Sequence, residues 1–338
     1  MFDPFARTPT RRWQRYDPLR CHGQVSRLRA FCDGVMLRRR SASGPRFVAL
    51  AVLFSLLLCF ATAGTRPLSA QERHFLWEVD TARGRVTLMG SIHTLRKDAY
   101  PLPAVYEEAY SEAEGLVFET DMAAVEDPAF QARLLSLGLY PEGETLRDRL
   151  SPGAYDDLSQ ALTARGLPPE QFARFKPWFC AFTLTLLELQ RLGYHPQHGL
   201  DRHFLDKAAR DGKELYHLEP VEAQVQLLAS LDRGEQEDFL LQSLQELDLL
   251  ASKAAEMTGA WRNGDAEGLD AFIQKSFEGF PGLYDRFFTE RNRNWVPLIE
   301  DLIRDGEEVL IVVGAGHLVG DRGLVRLLED RGHRLEQR

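Results

Sequence analysis

The sequence predicts an α/β protein with a largely parallel central sheet, flanking helices and a helical insertion. Three observations predict it. Short apolar runs alternate with stretches of helical period from Phe75 to the end of the chain. The run Glu307-Glu-Val-Leu-Ile-Val-Val313 is the strongest strand signal present, and two long tracts, 125–190 and 221–262, carry 3.6-like spacing. Strands separated by helices pair in parallel through right-handed crossovers.

In chain order, Phe75–Asp80 and Arg85–Met89 are strand-like around Thr81-Ala-Arg-Gly84, which is a hairpin pattern. A helix follows from Pro103 to Glu114, with Val105, Ala109 and Ala113 on one face. Gly115-Leu-Val-Phe118 is a short buried strand that leads into Glu119. Helical spacing then runs through Gln131–Leu137, Ala154–Arg165 and Phe172–Leu192. Leu200–Ala209 is an amphipathic helix stopped by Gly212, and Glu214–Leu218 is a strand that leads into Glu219-Pro220. Helices resume over Val221–Arg262, Ala266–Gln274 and Glu290–Arg304. After the 307–313 strand come Gly314-Ala-Gly-His317, a helix over Gly323–Arg331 and an edge strand over His333–Glu336.

Charge divides the 338 residues unevenly. Residues 1–46 hold 11 arginines and three acids, whereas the whole chain carries a net −9, so the remainder is strongly acidic. An acidic domain is a poor partner for a phosphate backbone, which argues against nucleic acid. Phe47–Phe60 is apolar apart from Ser55, Arg38–Arg40 and Arg46 precede it, and Ala61-Thr-Ala63 offers a small-x-small cleavage site. This is the pattern of a secretory signal, with an uncleaved membrane anchor over 47–64 as the alternative. The basic stretch is long for a signal; a start at Met36 gives an ordinary one and leaves residues 1–35 as a mis-assigned start. The expected organisation is thus a basic stretch 1–46, a signal core and cleavage region 47–63, and one periplasmic or secreted domain 64–338. Cys21, Cys32 and Cys59 fall in the front part, leaving Cys180 without a partner for a disulfide.

Four expected strands end in a ligand or acid/base group. Met89 leads into Gly90-Ser91-Ile92-His93, Phe118 into Glu119, Leu218 into Glu219, and Val313 into Gly314-Ala-Gly316-His317. In parallel sheets the carboxyl ends of strands share a ligand-binding rim. Two imidazoles and a carboxylate are donors suited to a divalent transition metal with open positions, here Mn, Co or Zn held by His93, His317 and Glu119. Glycines at the strand ends permit tight turns and bring backbone N–H groups near a ligand, so Gly90, Ser91, Gly314 and Gly316 are expected to bind substrate. Arg291 and Asn292, in Glu290-Arg-Asn-Arg-Asn-Trp295, are expected to clamp substrate or stabilise an oxyanion, or Arg291 simply pairs with Glu119. Glu219 is either a proton shuttle or structural.

At these residues the chain resembles the TraB/PrgY/GumN family, which includes the Tiki proteases. The matching pieces are Leu76-Trp-Glu-Val79, Leu88-Met-Gly-Ser-Ile-His93, Tyr100-Pro-Leu-Pro103, Leu116-Val-Phe-Glu119, Gly199-Leu-Asp201, Leu218-Glu219 with Gln224, Glu290-Arg-Asn292 with Trp295, and Val313-Gly-Ala-Gly-His-Leu318. They span about Phe75 to Leu335, and the bacterial GumN-like branch is most similar. The resemblance implies a fold related to erythromycin-esterase and ChaN-like proteins, and paired GxxH motifs that serve a metal-dependent peptidase in the Tiki branch.

The expectation is therefore an extracytoplasmic, divalent-metal-dependent hydrolase acting on peptides. Metal-bound water would attack an amide carbonyl, with Glu119 as ligand or base and Glu219, Arg291 and Asn292 assisting. The alternative is a non-catalytic protein that sequesters a peptide or glycan at the same rim.

Overall fold

The computed structural model describes residues 73–338 apart from Asp80, Ala82 and Arg83. The basic stretch, the apolar run with its cleavage site, Met36 and the three front cysteines lie outside the described residues, as does the middle of the Thr81–Gly84 turn. Among the described residues no helix is long and apolar enough to cross a membrane.

Strands β1 (Leu76–Val79) and β2 (Val86–Ser91) form the expected hairpin. Helix α1 (Ala104–Glu112) and strand β3 (Gly115–Thr120) follow. Four helices come next: α2 (Pro128–Gly138), α3 (Leu146–Arg149), α4 (Pro152–Ala164) and α5 (Pro177–Arg191). Helix α6 (Leu200–Asp211) leads into β4 (Glu214–Glu219). Helices α7 (Val221–Ala229), α8 (Arg233–Glu246), α9 (Leu250–Arg262), α10 (Ala266–Ser276), α11 (Pro281–Tyr284) and α12 (Glu290–Asp305) precede β5 (Val309–Gly314). Helix α13 (Leu324–Glu329) and β6 (Leu335–Gln337) close the chain.

The helix boundaries have local causes. Asp127 and Ser151 accept backbone N–H groups at the starts of α2 and α4, each just before a proline. Asp232 and Glu235 form a capping box on α8. Gly212 (φ 71°) ends α6 in the left-handed region, as its position predicts.

The six strands run in the order β4-β3-β5-β2-β1-β6. The first four are mutually parallel, whereas β1 and β6 are antiparallel to their neighbours, so the sheet is mixed at one side. The short β1–β2 connection permits only antiparallel pairing. Strand β5 sits between β3 and β2 with all six residues buried, which its unbroken apolar sequence requires.

Helices cover the sheet to form one core, with Trp261, Trp295, Phe75 and Phe204 among its largest buried side chains. A second core lies wholly among helices and gathers Leu158, Trp178, Phe179, Leu184 and Leu240. It draws on α3–α5 and, far along the chain, on α8, so the helical layer is assembled from two stretches of sequence. Cys180 is fully buried there, and burial pushes its thiol well above the usual range, which leaves it a packing residue.

Candidate functional site

The parallel strands bring the four expected groups to one rim. Register pairs Ser91 with Gly314 across β2 and β5, and Thr120 with Glu219 across β3 and β4. Because β3 and β4 extend to Thr120 and Glu219, the two glutamates lie in the last two residues of their strands rather than in loops. His93 lies two residues beyond β2, and His317 ends a one-turn helix at Ala315–His317 directly after β5.

Arg291, in the first turn of α12, is the centre of the site. Its Nε–H donates to Glu219 (3.0 Å), Nη2 donates to Glu119 (2.6 Å), and Nη2 stands 2.8 Å from Glu219 as an ion pair. Nη1 donates to the Phe287 carbonyl (3.1 Å) and to His317 Nε2 (2.9 Å). These contacts engage four of the five N–H donors of a guanidinium. Arg291 therefore fastens both glutamates and His317 together. The sequence offered the pairing with Glu119; the added partners follow from β4 lying beside β3. Trp295, one turn on, donates Nε1–H to Glu219 (3.1 Å), and its ring packs on His317 with centroids 4.5 Å apart.

Asn292 is buried among its neighbours. It is 1% exposed; its Oδ1 accepts from His317 Nδ1 (2.6 Å), and its amide donates to the carbonyls of His317 and Arg322. With Nδ1–H given to Asn292, His317 presents a bare Nε2, and Arg291 fills that lone pair. Burial, reinforced by the charges of Arg291 and His93, pushes the His317 pKa down to about 3, so the ring is neutral.

Glu119 is 6% exposed. Burial disfavours its charge, but His317 (once protonated in acid), Arg291, His93 and the Gly314 N–H (2.5 Å to Oε1) outweigh this and hold the carboxyl down at about 2. Gln224 of α7 donates to the other oxygen (3.2 Å).

His93 differs from its neighbours in being open: its side chain is 63% exposed. Nδ1 lies 2.9 Å from Asp201 Oδ2, and the buried Asp201 also accepts from Ser91 Oγ (2.8 Å). The Asp201 carboxylate, opposed by desolvation and helped by Glu119, raises the His93 pKa to about 9. Asp201 was legible only as part of the Gly199-Leu-Asp201 motif. An acid in the first turn of a helix reads as a dipole partner, which conceals its second role.

The glycines are there for space rather than for turning. None of Gly90, Gly314 and Gly316 has a positive φ. A Cβ on Gly90 would meet Phe75 at 2.9 Å and Ala315 at 3.1 Å, and one on Gly316 would meet Phe288 and Ile273, so packing leaves no room for a side chain at either position. Gly314 is different: a Cβ there would stand 3.0 Å from Glu119 Oε1 and 3.3 Å from His93 Nε2. Its φ of −52° suits any residue, so Gly314→Ala is expected to keep the melting temperature within a few degrees while lowering turnover about tenfold or more, by displacing Glu119 and His93. Unchanged turnover would show that the space over Gly314 is not used.

Metal binding can be tested on the donors themselves. His93 Nε2 and His317 Nε2 each lie 3.9 Å from Glu119 Oε1, whereas two ligands bonded to one tetrahedral ion at about 2.1 Å stand roughly 3.4 Å apart. His317 Nε2 is turned to a cation, and both Glu119 oxygens already accept N–H groups. Among the described residues no group of three or more His, Cys, Asp or Glu side chains is arranged to hold a metal ion. The set His93, Glu119 and His317 thus does not fit a metal in this arrangement.

The shifts also fix how stability follows pH. His317 stays neutral in the fold to about pH 3 but takes up a proton near 6.5 when unfolded, and Glu119 stays ionised to about pH 2 against an ordinary 4.5. Both make the unfolded chain bind more protons in acid, so the melting temperature is expected to fall as pH drops from about 6.5 towards 3. His93 works oppositely: the stability from its charged form is complete below about pH 6.5 and is lost as pH rises through about 9. Melting curves across this range check both limbs; a flat acid side would contradict a neutral buried His317.

The family model for the TraB/PrgY/gumN family matches residues 75–337. The uncharacterized protein YbaP of Escherichia coli K12 is 26% identical over 242 residues, which is 71% of this chain and 86% of that protein. The Shigella flexneri YbaP matches with the same figures. No solved structure matches the chain.

Proposed function

The chain belongs to the TraB/PrgY/gumN family, and from that premise we propose that it is a hydrolase of peptides working outside the cytoplasm, with His93 as the group that moves the proton. The observation that carries this reading is the His93–Asp201 pair: an exposed imidazole, oriented by a buried carboxylate, beside an ionised Glu119. Extracytoplasmic placement rests on the apolar run and cleavage pattern at 47–63.

The residues have separable roles. Asp201 accepts the Nδ1 proton of His93, fixing ring and tautomer so that Nε2 faces the opening. At neutral pH Nε2 is protonated and donates to an incoming carbonyl oxygen. Once deprotonated, it takes a proton from water while the water oxygen bonds to the amide carbon; the same proton then passes to the departing amine. Glu119, held ionised by Arg291 and Gly314, stabilises the positive charge that His93 carries after taking the proton. Arg291, Asn292, Trp295 and His317 keep that carboxylate in place. No step runs through a metal, because the donors do not fit one in this arrangement.

The test is a peptide library presented to the purified mature chain in chelator and read by mass spectrometry, with Mn²⁺, Co²⁺ and Zn²⁺ added in parallel. Cleavage in chelator supports His93 chemistry. Cleavage that needs an added ion would return the site to the metal-ligand reading of His93, Glu119 and His317. Ligand retention with no cleavage under any condition would favour a sequestering protein.

A further inference from the structure

We propose that Gly199 is a positioning residue for His93: without a side chain it lets the start of α6 lie against the His93 backbone, and that approach brings Asp201 to Nδ1. The inference rests on the reading of His93 as the proton carrier. Gly199 is buried and directly precedes α6, in which Asp201 is the second residue. A Cβ on Gly199 would stand 2.2 Å from the His93 carbonyl oxygen and 2.7 Å from its carbon. Carbon and carbonyl oxygen ordinarily approach to about 3.3 Å, so a side chain here demands a shift of about 1 Å. Both atoms in the way are backbone, which cannot rotate aside as a side-chain tip can.

The two local reasons for a glycine do not apply at this position. Its φ of −63° and ψ of 149° are extended and open to any residue. It is also the residue that caps α6 at its start, where Ser, Thr, Asp or Asn would accept a free N–H and glycine has no side chain to do so. A better cap is thus forgone, and the close contact with His93 is what a side chain would destroy.

The contact belongs to a short ladder. The His195 N–H donates to the Leu95 carbonyl (2.9 Å), the Leu95 N–H donates back to His195 (3.4 Å), and the Leu200 N–H donates to the Ile92 carbonyl (3.1 Å). Residues 92–95 are thereby fastened at both ends to residues 195–200, with Gly199 against His93 between them. Asp201 uses one oxygen on the Ser91 hydroxyl (2.8 Å) and the other on His93 Nδ1 (2.9 Å). A displacement of about 1 Å takes the His93 contact beyond hydrogen-bond reach. Whether α6 or the end of β2 yields to an added Cβ, ring and carboxylate are driven apart.

Gly199→Ala and Gly199→Ser, measured beside the wild-type mature chain, test this. One readout is the downfield proton NMR signal of the His93 Nδ1–H shared with Asp201, identified in the wild type by its loss in His93→Gln. The other is peptide turnover without added metal. Both variants are expected to fold, to lose the signal and to lower kcat about 10²-fold with KM little changed. Gly199→Ser separates this from a capping role: serine supplies the missing cap, so capping alone would leave signal and turnover untouched and raise the melting temperature. Asp201→Glu, one methylene longer, should restore part of the signal and turnover when added to Gly199→Ala, yet lower turnover when introduced alone. Absence of the signal in the wild type, or signal and kcat at wild-type levels in either folded variant, overturns the proposal. Loss of fold in both variants overturns it too, by assigning the contact to stability alone. The signal is read independently of turnover, so a wild type that cleaves no peptide contradicts the hydrolase reading, while loss of the signal in the folded variants still supports Gly199 as the residue that positions the ring.

Discussion

His93→Ala is expected to lower peptide turnover by about 10²–10⁴-fold while the chain stays folded. The ring is the one member of the rim that is largely open, so its removal leaves no cavity in the sheet core. What it does remove is the partner of a buried carboxylate. Asp201 then keeps only the Ser91 hydroxyl and the start of α6, and stability should fall by about 1–3 kcal/mol. Circular dichroism and a urea transition measured beside the kinetics separate the two effects. His93→Gln, which can still reach Asp201, should recover part of the stability and none of the turnover. Turnover retained in the folded alanine variant would mean that another group moves the proton.

Arg291→Met is expected to have the largest effect on stability, about 3–5 kcal/mol. Arg291 and its two carboxylates are nearly buried, and the guanidinium is the one cation in hydrogen-bond contact with both Glu119 and Glu219 among the described residues. Without it two carboxylates are left at the ends of adjacent strands, so one must take up a proton or the rim must open. The Glu119 pKa should rise out of its present place near 2, which steepens the loss of stability in acid. Arg291→Lys should fall between, since three donors cannot replace five and the fork geometry is lost. Guanidinium or urea unfolding of the three proteins measures this. A destabilisation below about 1 kcal/mol for the methionine variant would contradict a site organised around Arg291.

These two results act on different links of one chain. Arg291 determines where the carboxylates and His317 stand; His93 acts in the space they define. This also explains which parts were readable in advance. Alternation of strand and helix, with Gly90-x-x-His93 and Gly314-x-x-His317 after Val/Leu-rich runs, was enough to place four groups on one rim, because parallel strands leave no other arrangement. The roles were less accessible. Arg291 and Asn292 look the same in sequence whether they face a ligand or a neighbour, and only packing of α12 against β3, β4 and the Ala315–His317 turn shows that both face inward. Gly90 and Gly316 read like loop glycines, yet Phe75, Phe288 and Ile273 occupy the volume where a side chain would go. Asp201 was the reverse case, an ordinary helix-start acid by local pattern that becomes the orienting group of His93 through a contact 108 residues away in sequence.

The pH dependence of kcat/KM for metal-stripped wild-type chain and for Asp201→Asn bears most directly on the central claim, that His93 carries the proton and Asp201 sets its affinity. The wild type should gain activity as pH rises through about 9, where His93 becomes a base. Asp201→Asn keeps an acceptor for Nδ1 but removes the charge, so its rising limb should move down towards the ordinary histidine value near 6.5, with a lower plateau. A limb that stays in place in the variant, or activity that returns in either protein only when a divalent metal is added, would contradict the account.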